Sequence, residues 1–390
     1  MDGNCFSKYS CWDFLITCVG LPLFLTDIGL DIWAAVIFYQ EKAYACLGVL
    51  LLLLVGSTLL AQAYSWLWYS YDNFEMKTKV EGLPTQRELT VLHVCQLGVY
   101  VREIHLSVKP KTEDITVSLT HDLSMLRIIE TFSESAPQLT LMLTIILHQA
   151  RGDTNISTPE PSAIAFSVTA YHRSVRSFLP DKEKQQITSS VIYFIWNLVL
   201  ISSRLTALAL FASVLPCFIF THFICSWLVL FFFAWRSKTD FMDSSCGEWL
   251  YRATVGLIWY FNWFSVAKGK TRNRTALYHG YILTDICILC AVWCWKMSTD
   301  PPDFVIEPMH ALITAACVVA VYILGLILKA IYYKLFHPNL DKNKIKGTST
   351  EQQPVNVPKV LGDEVDAAPS PPPQPCCNKR MRKLAESFYC

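Results

Sequence analysis

The chain has 390 residues, 53% of them hydrophobic, with 33 Lys and Arg against 32 Asp and Glu. A mean hydropathy of +0.32 excludes an ordinary soluble domain of this size, and a net charge of +1 provides no global field for nucleic acid. An all-α protein that crosses a membrane several times is expected.

Apolar runs long enough to cross about 30 Å of hydrocarbon begin near the N-terminus, at 14–39 and 43–69. No small-residue cleavage site follows the first run, so it reads as a span and not a signal peptide. Gly3 and Cys390 fit neither a myristoylation nor a prenylation signal. A shorter run at 90–107 is interrupted by Arg102, Glu103 and His105. Runs at 123–148 and 162–179 follow, the second weaker. The series then restarts with 190–214 and 217–235, a short run at 253–267, and runs at 277–297 and 310–333.

Both halves therefore read as two spans, one short segment and two more spans. A run of about 15 residues makes a helix of only about 23 Å, suited to a re-entrant segment and not to a crossing. The expected architecture is eight transmembrane helices and two short re-entrant helices in two pseudo-symmetric, parallel halves, about 13–179 and 190–334. Basic residues give the orientation. Lys77, Lys79, Arg87, Lys109, Lys111, Lys182, Lys184, Arg236, Lys238, Lys268, Lys270, Arg272 and Arg274 fall in loops on one side. The other side carries little beyond Lys42, Arg151 and Lys296. Both termini are therefore expected in the cytosol.

Fifteen cysteines show no disulfide or zinc spacing. Cys287-Ile-Leu-Cys290 lies inside a span, with Cys294 one turn on, and reads as helix packing. The sequon at Asn155 sits in a short loop hugging the membrane, where use is not expected, and Arg151-Gly152-Asp153 reads as coincidence.

Ionisable residues inside spans carry the functional signal. Asp27 and Asp31 share one face of the first helix, and Glu130 and Glu134 repeat that spacing with Arg127 one turn earlier. Arg204 lies mid-span. Each such charge costs about 2.5–3.5 kcal/mol at a helix centre on insertion scales. One reading is structural, with acids pairing Arg204 or Arg127 to set helix register. The other is a polar track, because the acidic stripes outnumber the bases near them. A lipid scramblase, a channel and a cation- or proton-coupled small-solute transporter all fit such a track. No GxxxxGK[ST] loop, metal cluster or nucleophile elbow is visible, so no cofactor and no enzymatic activity are expected.

The stretches SWLWYSYD, SMLRIIETFSESAPQLTL, SSVIYFIWNL, TDFMDSS, EWLYR, YFNWFSVAKGKTR and YYKLFHP resemble the XK-related family of membrane proteins, and its caspase-activated branch most. The similarity runs from about Asp13 to His337 and returns in NKRMRKLAESF. It implies eight spans, two re-entrant helices and a plasma-membrane phospholipid scramblase that exposes phosphatidylserine on dying cells. It also implies a charged headgroup path, here Asp27, Asp31, Glu130, Glu134 and Arg204, with Asp13 and Arg173 as weaker matches; Arg127, one turn before Glu130, joins the path by its spacing. Relatives carry an acid before the Tyr-His of AYHRSVRS where this chain has Ala170, so one rung of the path is missing. A single-pass immunoglobulin-type chaperone, basigin or neuroplastin in kind, is implied as partner.

The membrane part, 1–337, gives way to a polar, Pro-rich linker at 338–375, expected to be unfolded, and a terminal segment at 376–390. The linker contains Asp363-Glu364-Val365-Asp366 before Ala367. This resembles an executioner-caspase site, with cleavage after Asp366 in an accessible cytosolic chain. Average residue usage would place DEVD in a chain of this length roughly once in a few hundred sequences. Beyond it, Met381, Leu384, Ala385 and Phe388 recur at helical spacing among Lys379, Arg380, Arg382 and Lys383. Such a basic amphipathic helix is suited to lie on anionic lipid or to plug the cytosolic side. Cys376 and Cys377 precede it, and the sequence leaves their palmitoylation open.

Overall fold

The computed structural model describes residues 29–71, 86–100, 102, 113–149, 168–169, 187–237, 239–266, 272–299 and 308–336. Asp13, Asp27, Asn155, Ala170, Arg173, the DEVD segment, Cys376, Cys377 and the Met381–Phe388 stripe lie outside these residues. So do most of the expected spans 14–39 and 162–179.

All regular structure among the described residues is helical. The chain runs through α1 (29–40), α2 (Tyr44–Tyr71), α3 (Gln86–Val94), α4 (Glu113–Ser133) and α5 (Ser135–Gln149). It continues through α6 (Ile187–Val214), α7 (Pro216–Arg236), α8 (Ser245–Phe261), α9 (Arg272–Thr299) and α10 (Pro308–Ile331), which ends in a π-turn at Tyr332–Phe336. Among the described residues, five helical segments are long and apolar enough to cross a membrane: Tyr44–Tyr71, Thr188–Val214, Pro216–Arg236, Arg272–Thr299 and Met309–Leu335. The protein is a multi-pass membrane protein. These helices match the expected runs 43–69, 190–214, 217–235, 277–297 and 310–333.

The expected run 123–148 is present as two helices, α4 and α5, that meet at Glu134. Pro137 explains the bend, because its ring collides with the carbonyl four residues back, that of Ser133. Helical hydrogen bonds continue on both sides, from the Glu134 amide to the Glu130 carbonyl and from the Gln138 amide to that of Glu134. The short run at 90–107 is likewise segmented. α3 ends at Val94, Gln96 turns in the left-handed region at φ 63, and helical geometry resumes at 98. The other short run starts earlier than its apolar residues suggest. Ser244 caps α8 by accepting from the Gly247 amide, and the Glu248 carboxylate accepts from the amides of Phe241 and Met242.

α6 is the pivot, packed against α5, α7, α8, α9 and α10. Two thirds of its most apolar stretch is buried within the protein, against about one sixth of α2 or α7. The outward faces of α7 and α10 instead present large apolar residues such as Phe218, Phe232, Leu324 and Ile327, as lipid-facing helices do. Gly256 lets α8 lie directly on α7: a Cβ there would stand 3.1 Å from the Phe231 backbone nitrogen.

Candidate functional site: ion pairs and carboxyls among the helices

The most deeply buried charge in the second half is Arg204, on the pivot helix. Its Nη1 lies 2.6 Å from Asp285 Oδ2 on α9, and its Nε donates to the Tyr260 carbonyl at 3.1 Å. That carbonyl is available because α8 ends one residue later, leaving it without an intrahelical donor. The other Asp285 oxygen lies 3.0 Å from His222 Nε2, and His222 Nδ1 is 3.0 Å from the Tyr260 hydroxyl. Side chains from α6, α7, α8 and α9 thus close one network. Arg204 is fully buried, whereas Asp285 and His222 keep 14% and 18% exposure, so the network's acidic side reaches the protein's edge.

In the first half, Arg102 clamps the segmented helix onto α2 and α4. Its Nη1 reaches Asp122 at 2.8 Å, Nε donates to the Ser65 hydroxyl at 3.0 Å, and Nη2 donates to the Ser65 carbonyl at 3.1 Å. Its guanidinium carbon also lies 4.0 Å from the centre of the Tyr69 ring. His93 sits beside Ser65, with Nε2 3.0 Å from the hydroxyl and Nδ1 2.7 Å from the Leu89 carbonyl.

The second acidic constellation joins α1 to α5. Gln138 donates to Asp31, and the Glu134 carboxyl lies within hydrogen-bond reach of the same carboxyl group. All three side chains are buried. One and two turns before Glu134, Glu130 and Arg127 are half-buried on α4, whereas Met125, Leu126, Ile128, Ile129 and Phe132 are fully buried. Apart from Asp122, which Arg102 engages in the interior, α4 therefore turns its apolar residues inward and Glu130 and Arg127 towards the less covered side. An ordinary membrane helix has the opposite arrangement.

A fourth cluster lies among α6, α9 and α10. Lys329 Nζ is 2.8 Å from His279 Nε2 and 4.8 Å from the centre of the Trp196 ring. His279 Nδ1 is 2.9 Å from the Tyr322 hydroxyl.

Against this geometry, a model of the XK-related protein family matches residues 15–338. The chain belongs to the XK-related family. Among its relatives, XK-related protein 8 of Gasterosteus aculeatus is 46% identical over 360 residues, covering 87% of each chain. XK-related protein 8 of Tetraodon nigroviridis is 41% identical over 98% of this chain and 97% of its own. XK-related protein 8 of Pan troglodytes is 34% identical over 97% of this chain and 94% of its own.

Of the intramembrane charges read from the sequence of this XK-related chain, Asp31 and Glu134 are brought together. Glu130 and Arg127 lie on α4, one and two turns before Glu134, and Arg204 belongs to a separate network. Its partner is Asp285, which the sequence reading passed over. Lys329 and His279 were also missed, although all three lie inside expected spans and meet the criterion applied to Arg204. Asp122, the partner of Arg102, hid in a segment whose charge made it look like a loop. Among the described residues no group of His, Cys, Asp and Glu has metal-holding geometry. Cys287 is exposed and Cys290 buried, and both are free.

Proposed function

We propose that this protein is a phospholipid scramblase of the plasma membrane, with both termini cytosolic, that exposes phosphatidylserine after an executioner caspase cuts behind Asp366. The observation that carries the reading is the α4–α5 edge. The buried Asp31–Glu134 carboxyls, with the half-buried Glu130 and Arg127 one and two turns earlier, set acid and base along a run expected to lie in the bilayer. Such a strip suits zwitterionic headgroups: carboxylates attract the amine or choline end, and Arg127 attracts the phosphate. The tails stay in the bilayer, and the exchange runs downhill in both directions with no nucleotide. Eight spans, two re-entrant helices, a path extended by Asp13, Asp27, Arg173 and Arg204, and an immunoglobulin-type single-pass partner complete the reading. Membership of the XK-related family and the full-length likeness to proteins named XK-related protein 8 support it.

The same carboxyls would serve a cation- or proton-coupled small-solute transporter. The purified chain, intact or caspase-treated, should be reconstituted in liposomes carrying fluorescent lipid in both leaflets. Rapid loss of inner-leaflet fluorescence to an external quencher, with the cut protein and no ion gradient, is expected. Gradient-driven solute uptake without lipid exchange would overturn the reading.

A further inference from the structure

Arg102 and Arg204 each face a carboxylate, but Lys329 is different. It is only 5% exposed, and no Asp or Glu faces it among the described residues. Its amine meets the imidazole of His279, itself buried, at 2.8 Å, and the far side of that ring meets the Tyr322 hydroxyl. Around the pair, Lys329 lies over the Trp196 ring of α6 and His279 lies against Tyr278 of α9 and Tyr322 of α10; Tyr193 and Tyr332 pack on Trp196, and the Arg204 charge acts on Tyr322. Asp285 on α9 is already engaged by Arg204 and His222, and Lys334 points outward. Two nitrogens at this distance hold one proton between them. Either the ammonium donates to Nε2 of a neutral imidazole, or an imidazolium donates from Nε2 to a neutral amine. A second proton would set two cations side by side in a low-dielectric site with no counter-charge.

We propose that Lys329 and His279 form a single-proton pair that acts as an acid-sensitive joint among α6, α9 and α10. Its position gives the joint leverage. Three residues past Lys329, Tyr332 is buried against Tyr193 and Trp196 at the start of the π-turn. Acidification therefore loosens the helices where the chain leaves the membrane part for the linker.

The sign follows from proton counting. Below the ordinary histidine value of about 6.5, the unfolded chain binds two protons on these side chains and the folded chain binds one. Stability therefore falls as pH falls. The test is reversible detergent unfolding of the full chain, followed by fluorescence from pH 7.5 to 5.5, so the outcome does not depend on scrambling. His279→Gln keeps an acceptor and a donor but cannot titrate. The wild type is expected to lose up to about tenfold more in its folding constant per pH unit than this variant on the acid side. Lys329→Met, which removes the second charge, is expected to give a shallower acid limb and decides the matter alone if His279→Gln does not fold. Parallel acid limbs in wild type and the folded variants overturn the proposal.

Discussion

Arg204 on α6 and Asp285 on α9 meet at 2.6 Å inside the helix bundle, and the arginine has no exposed surface. The pair fixes the pivot helix against its neighbour, and the His222–Tyr260 contact ties two further helices to the same carboxylate. Removing one partner leaves an uncompensated charge that costs about 3–5 kcal/mol. Asp285→Ala is accordingly expected to lower the amount of folded protein, read by size-exclusion of detergent extracts. The double replacement Arg204→Met with Asp285→Leu removes both charges and should recover most of that loss. A double variant as poor as the single one would show that the network does more than cancel charge.

The α4–α5 edge separates conduction from architecture. Asp31→Asn and Glu134→Gln preserve size and hydrogen bonding while removing charge. If headgroups move along this strip, lipid exchange should fall at least about tenfold, a loss of about 1.4 kcal/mol in barrier stabilisation, with surface expression unchanged. Retention of the variants inside the cell would identify the carboxyls as helix glue.

Gly256 tests the packing of α8 on α7. The added methyl of Gly256→Ala would press on the Phe231 backbone at 3.1–3.2 Å, and main chain cannot swing aside as a flexible side chain can. A stability loss of about 1–3 kcal/mol is expected, measured as a lower unfolding midpoint. An unchanged midpoint would mean that the two helices separate freely.

Asp366→Ala addresses the proposed switch. A segment as polar and Pro-rich as the one around Asp366 is expected to add nothing to a core, so the variant should express normally yet show no surface phosphatidylserine after an apoptotic stimulus, scored by annexin binding. Exposure at the wild-type level would remove the DEVD site from the mechanism.

The terminal segment offers a complementary test. A short helix is marginal alone in water, so on the proposed reading the Leu384 and Phe388 stripe would act by docking, and cutting the tether would take away its effective concentration. Leu384→Asp with Phe388→Asp in the uncut chain should give scrambling without caspase. Silence until cleavage would point to release of a partner instead.

The sequence by itself determined the membrane class and the long helices, because a helix in hydrocarbon must be apolar over about 20 residues and that signal is local. It also singled out Asp31, Glu134 and Arg204, because a charge in such a run stands out without any knowledge of its neighbours. Partnership is not local. Asp285 lies 81 positions from Arg204 in the sequence, and only the crossing of α6 and α9 decides that they meet, rather than Arg204 meeting the acids of the first half. The bend at Glu134 was written in Pro137, but the early start of α8 depended on a cap at Ser244 and a carboxylate reaching back to Phe241 and Met242. α4 was harder still. Periodicity placed Glu130 and Arg127 on one face, but only packing of its apolar residues into the core decided that this face would be the less covered one. Burial depends on what surrounds a helix, and that is set by tertiary structure.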